Sequence, residues 1–222
     1  DGYSVELPSD ILANYDIILA YLLDGEEPQG GLLQVVVPGE TAMYWVKELT
    51  EIHLLTSSKA EPVEVLTFAE DILPLLPLEM LTVDGKEEKA VNIRDLLGID
   101  QETRVFFLAT DGLLKGEILE VDKWVYFVQL TGEETPIFFS PELPKSMSVK
   151  HLAAIIANKR AMLFLNAFES SQVTGNKLLA LLGEHLVEGD IKLSLSTGDT
   201  VMTRDDFATK TFSANDNGLV ID

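Results

Sequence analysis

A mixed, β-rich α+β fold built from repeats of one unit is what this sequence predicts, and three observations predict it. Short runs of Val, Ile and Leu are bounded by Gly and Pro, the pattern of buried strands. Short apolar stretches that stop at glycine, such as Asn92-Ile93-Arg94-Asp95-Leu96-Leu97-Gly98, read as brief helices. Phrases from the N-terminal part return, in order, further along the chain.

The elements follow in sequence. Tyr3, Val5 and Leu7 alternate as a short strand ending at Pro8. Residues 11–23 are dense in aliphatics; a strand over 16–23 or a helix suits them, and the run closes at Asp24-Gly25, a dipeptide made for the positive φ angles of a tight hairpin. Residues 32–37, with only Gln34 polar, read as a buried strand, and residues 44–55 as another. Ser57 to Pro62 is polar, short and closed by proline, which marks a linker. A strand is expected over 63–66, then a short helix over 68–76 interrupted by Pro74. Val83-Asp84-Gly85-Lys86 is a turn, residues 92–98 a helix, and 104–109 a strand leading to Asp111-Gly112.

From that point the chain repeats itself. Asp1-Gly2 corresponds to Asp111-Gly112, Ile11-Leu12 to Ile118-Leu119, and Gly25-Glu26-Glu27 to Gly132-Glu133-Glu134. Pro38 then matches Pro141, Val46-Lys47 matches Val149-Lys150, Leu49 matches Leu152 and Ile52 matches Ile155, all at offsets of 103–110. Asp95 to Gly98 is echoed by Ala180-Leu181-Leu182-Gly183, and the strand after it by residues 191–195 with the turn Ser196-Thr197-Gly198-Asp199. The expected organisation is the back part of a first copy over 1–60, a complete second copy over 61–165, and the front part of a third over 166–222.

Composition narrows the function classes. Of 222 residues, 46% are hydrophobic and 24% charged, enough apolar material for a core. The net charge of −21 repels phosphate backbones and anionic lipid, so no nucleic-acid partner is expected. No apolar run is long enough to cross a bilayer as a helix, so membrane insertion is not expected. The absence of cysteine excludes disulfides, thiolate metal ligands and cysteine nucleophiles. The chain opens at Asp1 with no Met, and reads as a trimmed or processed piece.

The phrases DGYSVELP, ILAYLLDGEEP, GGLLQVVVPGE and YWVKELTEI together resemble the molybdopterin-binding domain of the sulfite oxidase family. The likeness is densest over residues 1–55. Over 61–165 it rests on VNIRDLLGI, the Asp111-Gly112 turn and Val149-Lys150, and over 167–222 it is faint. The resemblance implies that family's fold. It also implies a site in which a cysteine thiolate binds molybdenum, while Arg, His and Lys hold the pterin phosphate or an oxyanion substrate. A soft thiolate suits the metal, and guanidinium forks suit phosphate or sulfite oxygens. This chain departs from that pattern. Against the family phrase HGGPLRLVVPG, Gln29 stands for the histidine and Gln34 for the arginine. Residues 81–86 hold no cysteine, and a ligand for the first copy would precede Asp1. Lys47, with Lys150 in the second copy, is what remains of the anion-binding set.

Other constellations are weaker. His53, His151 and His185 share no metal-ligand spacing. Ser196 to Thr200 lacks the lysine of a P-loop and reads as a hairpin turn. Ser213 to Gly218 has oxygen ligands ahead of a glycine but no following Glu, and reads as a disordered or turn-forming tail. Glu70-Asp71, Glu87-Glu88 and Asp205-Asp206 read as solvated acids, Trp45 and Trp124 as core or interface, and Phe106-Phe107 and Phe138-Phe139 as buried strand pairs.

The expected function is therefore a non-catalytic binding or structural module on a sulfite-oxidase-like fold, with no catalytic residue and no metal. Two other classes stay open: a fragment of a molybdenum oxidoreductase whose ligand cysteine lies outside this chain, and a tandem-repeat adhesion or assembly protein. No cofactor is expected. If a pterin site is retained, Gln29, Gln34 and Lys47 would line it, so a small anionic ligand, a protein partner or a homo-oligomer is the partner class. The family likeness places the chain in the cell envelope or outside the cytoplasm.

Overall fold

Residues 1–59 and 60–222 form two units, each with its own core. The computed structural model describes the chain apart from residues 1–4, 6, 8–10, 12–14, 29–31, 40–43, 53–60, 84, 121–124, 144, 171 and 216–217. The expected strand over residues 3–7, most of the linker at 57–62, and Gln29, His53 and Trp124 thus fall wholly or mainly outside the described residues.

The first unit is a hairpin with a small core. β1 (Ile18–Ala20) and β2 (Gln34–Val36) pair antiparallel, with Leu19 opposite Val35. Beyond β1, Asp24 (φ 54°) and Gly25 (φ 86°) take the two consecutive left-handed positions of a type I′ turn. Leu23 and Glu26 close it with reciprocal backbone bonds of 2.8 and 2.9 Å. Ile11, Val35 and Val37 are buried together, with Tyr44, Val46 and Leu49 packed on them. Residues 44–52 run beside β2 but are not the strand that was expected. The Val35 N–H reaches the Val46 carbonyl and Leu49 reaches Leu33, yet Glu48 between them has φ 52°. A left-handed residue reverses the alternation, so no ladder propagates. Residues 53–55 of the same expected strand are outside the described residues.

The second unit is organised on a seven-stranded sheet. β3 (Val65–Phe68) leads directly into α1 (Ala69–Ile72) and a 3-10 turn at Leu73–Leu75, where Pro74 ends the α-helix as expected. β4 (Glu79–Val83) and β5 (Lys86–Asn92) form a hairpin, followed by α2 (Ile93–Leu97). The ends of α2 match the sequence reading: the Asn92 side chain accepts from the Arg94 N–H, and Gly98 (φ 63°) stops the helix. β6 (Thr103–Ala109) and β7 (Leu114–Leu119) form the next hairpin, then β8 (Phe127–Gln129) and β9 (Ile137–Phe139). β10 (Leu152–Ala157), β11 (Arg160–Leu163) and β12 (Gln172–Thr174) lead to α3 (Gly175–Leu182). The chain continues through β13 (Ile191–Leu195), β14 (Gly198–Met202), α4 (Arg204–Thr209), β15 (Thr211–Asn215) and β16 (Gly218–Ile221).

The seven-stranded sheet has the order β14-β13-β3-β11-β10-β6-β7. β3 lies between two parallel neighbours, β11 and β13, and every other pairing is antiparallel. Smaller sheets β4-β5-β8-β9 and β12-β15-β16 complete the unit. Phe107 of β6 stacks on Phe138 of β9 with ring centroids 3.8 Å apart, and Phe68 of β3 stacks on Phe212 of β15 at 4.9 Å. All four rings are buried, and each pair joins a small sheet to the large one. The fold is thus mixed and β-rich. Residues 166–222 are built into the same unit as 61–165, since β13 pairs with β3.

Local geometry recurs along the chain. At an offset of 103 residues, the bond from Val35 N–H to Val46 O (2.8 Å) has its counterpart from Phe138 to Val149 (2.9 Å). The bond from Leu49 to Leu33 likewise has its counterpart from Leu152 to Pro136, both at 2.8 Å. Glu48 (φ 52°) is matched by His151 (φ 48°). The β1–β2 register, Leu19 opposite Val35, is that of β8–β9, Val128 opposite Phe138. In the same way β12-β15-β16 parallels β5-β8-β9, and the capped helices α2 and α3 each precede a hairpin at opposite edges of the large sheet.

Helix α3 begins at Gly175 for a steric reason. A Cβ there would run into the Phe207 carbonyl of α4, which is backbone and cannot swing away. Gly175→Ala should therefore cost about 1–3 kcal/mol or more by overpacking, read as a lower urea midpoint with unchanged slope.

Candidate functional site

The sequence-predicted positions come out as follows. Gln34 is buried in β2, beside the 44–49 stretch, while Lys47 is exposed next to the left-handed Glu48. The backbone bonds on either side of them bring these two segments together. Gln29 is outside the described residues. Lys150, the expected counterpart of Lys47, forms an ion pair with Glu134, whose carboxyl this lysine holds below the usual range. Trp45 is exposed and donates its indole N–H to the Val37 carbonyl at 3.1 Å, so it is not a core residue. His151 lies at a left-handed surface position, and no group of His, Asp and Glu among the described residues can hold a metal ion.

Two acids expected to be solvated are structural. Glu70, the second residue of α1, is buried, and its carboxylate accepts the Asn166 N–H at 3.0 Å. Asn166 belongs to the Leu165–Ala167 turn that follows β11, the parallel neighbour of β3. Asp71 reaches the other side. It accepts the Ser196 N–H at 2.5 Å and the Ser196 hydroxyl at 2.8 Å, in the turn after β13. The adjacent acids thus tie the carboxyl ends of three parallel strands together. Their placement directly after a strand, at a helix start, was the only signal in the sequence. It does not reveal burial, because that depends on which strands become the neighbours of β3.

Lys115 and Glu117 are an oppositely charged pair that burial perturbs, and sequence reading missed it. They alternate on β7 and so share a face, opposite Phe107 and Val105 of β6. Both are part-buried, and burial pushes Lys115 below and Glu117 above its ordinary value, only partly offset by their mutual attraction. The Lys115 ammonium donates to the Met147 sulfur at 3.0 Å, and Glu117 accepts the Ile118 N–H.

A depression of about 420 Å³ lies elsewhere, at the C-terminal end of α2. Leu76, Pro77, Arg94, Asp95, Gly98, Ile99 and Asp100 line it. It is open to solvent, and the two carboxylates beside Arg94 weaken its attraction for an anion. Shallow, mixed-charge ground of this kind suits a polypeptide surface better than a buried small molecule. No described helix is long and apolar enough to cross a membrane.

Comparison with known proteins identifies no relative: no family model, no curated protein and no solved structure matches the chain.

The buried acids have a pH consequence. Burial raises the Glu70 carboxyl despite the opposing hydrogen bonds from Asn166 and nearby backbone, and burial also raises Glu117. A raised acid binds its proton more tightly when folded, so its contribution to stability is greatest below the unfolded value of about 4.3. It is lost as pH climbs through the raised folded value. Urea midpoints of the parent chain should fall over that limb, and the Glu70→Gln/Glu117→Gln double variant should flatten it. Glu70→Gln keeps a carbonyl to accept the Asn166 N–H.

Proposed function

We propose that this chain is a non-catalytic binding or structural module built from degenerate copies of a sulfite-oxidase-like unit. A contrast around β2 carries the reading. Its backbone bonding recurs 103 residues later, so the packing frame is kept. Most of the charged groups of the family's site are not kept, Lys47 and Lys150 excepted. Position 34 is a neutral carboxamide buried in the hairpin, and the second-copy lysine is engaged by Glu134.

The residues present do not fit a molybdenum cofactor. The chain has no cysteine thiolate for the metal. A carboxamide supplies neither the charge nor the two-pronged donor geometry of a guanidinium toward phosphate. What the unit does offer is exposed apolar strand surface and shallow mixed-charge ground, which favours a polypeptide partner. An extracytoplasmic setting belongs to the same proposal.

Protein produced in molybdate-supplemented cells and analysed by elemental mass spectrometry should contain molybdenum far below one atom per chain, with no pterin fluorescence after oxidation. Stoichiometric metal or pterin would reverse the reading in favour of an oxidoreductase fragment.

A further inference from the structure

Glu70 is only 6% exposed, and its carboxyl is only partly used. One oxygen accepts the Asn166 N–H at 3.0 Å, with further backbone bonds from Leu165 and from Glu70 itself. The other oxygen, Oε2, is buried and has no hydrogen-bond partner among the described residues. An ionised carboxyl held in this way lacks both water and a counter-charge. A neutral one escapes most of that cost.

Two surface elements close over α1. The first is the Leu165–Ala167 turn, whose Asn166 is exposed while Leu165 and Ala167 are buried. The second is β16. Its Gly218 backs directly onto α1, where a Cβ would stand 3.6 Å from the Glu70 carbonyl. Among the described residues β16 is an edge strand, paired with β15 alone.

No charge on these elements offsets the acid. β3, the Leu73–Leu75 turn, the Leu165–Ala167 turn, β15 and β16 carry no ionisable side chain. Asp71, next on α1, is tied to Ser196 on the β13 side. Glu169, just past the turn, is exposed. Lys210 and Asp222 stand at the end of the β15–β16 hairpin away from Gly218, and Asp216 is outside the described residues.

We infer that Glu70 is a proton-controlled latch at the carboxyl ends of the parallel strands. With the carboxyl neutral, the Leu165–Ala167 turn and β16 stay closed on α1. With it ionised, they open locally and water reaches the charge. The bonds of Asp71 to Ser196 keep α1 anchored to β13 while the other side opens. Linkage sets the direction. Burial raises the Glu70 carboxyl in the closed form, whereas in the opened form it titrates near the ordinary value of about 4.3. Opening is therefore constant below about 4.3, grows as pH climbs toward the raised value, and levels off above it.

Hydrogen exchange measured from about pH 4 to pH 8, corrected for intrinsic exchange chemistry, tests the latch. Opening at the Asn166 and Phe168 amides and along β16 should rise about tenfold or more across that range, while β10 and β11 stay protected. Glu70→Gln keeps the carbonyl that accepts the Asn166 N–H but cannot ionise, so its profile should be flat. Glu117→Gln, at the edge of the large sheet, and Asp216→Asn should retain the rise. A flat profile in the parent chain overturns the inference. So does a rise that persists in Glu70→Gln, that vanishes in either control, or that is equal in β10 and β11, which is global unfolding. Should Glu70→Gln fail to fold, the carbon-13 shift of the Glu70 carboxyl in the parent chain decides. Titration above the ordinary glutamate range, in step with the Asn166 amide, supports the latch; titration at or below that range, or out of step with that amide, overturns it.

Discussion

Four residues, Val65–Phe68, hold the second unit together by standing between two strands that run parallel to them. β11 supplies one neighbour and β13 the other, from roughly 95 and 127 residues further along the chain. Parallel pairing cannot be made by a tight turn, so everything between these strands is crossover, including one whole smaller sheet, the first strand of the other and three helices. The same placement buries Leu66 and Phe68 and brings Phe68 against Phe212. Once β3 is in place, Glu70 and Asp71 fall at the carboxyl ends of all three strands, where one acid bonds each neighbouring turn. Removing β3 would leave two hairpin systems with no common edge.

Around that frame the chain uses one local device several times. A strand enters a capped helix, and a hairpin follows. The recurrence extends to individual hydrogen bonds and to the left-handed residues Glu48 and His151. A kink kept at equal distance from β2 and β9 is economically explained by a common packing solution: the segment must approach the strand, touch it twice and turn away. Within this device the side chains diverge. Lys150 is engaged by Glu134, Gln34 is neutral, and apolar residues at the β1 edge stay in solvent where those of β8 do not.

Much of the local structure was legible in the residues. Gly98 announced the end of α2, Pro74 its neighbouring helix's limit, and Asp24-Gly25 a tight hairpin turn, because each acts through its own backbone. Two errors share the opposite cause. The stretch 44–52 has strand composition, but contact with β2 imposes a left-handed Glu48. Glu70 has the composition of a solvated acid, but tertiary neighbours enclose it. The Lys115–Glu117 pair was invisible for the same reason, since its desolvation comes from β6 and Met147 rather than from β7.

The sequence by itself determined the β-rich mixed class, the positions of caps and turns, the recurrence of phrases, and the lack of thiolate ligands. These are properties of single residues or of short runs. Only the tertiary structure decided which strand stands at the centre and that Glu70 loses its solvent. Those depend on pairings across 90 residues or more, where loop closure costs little extra with length and side-chain complementarity selects the partner.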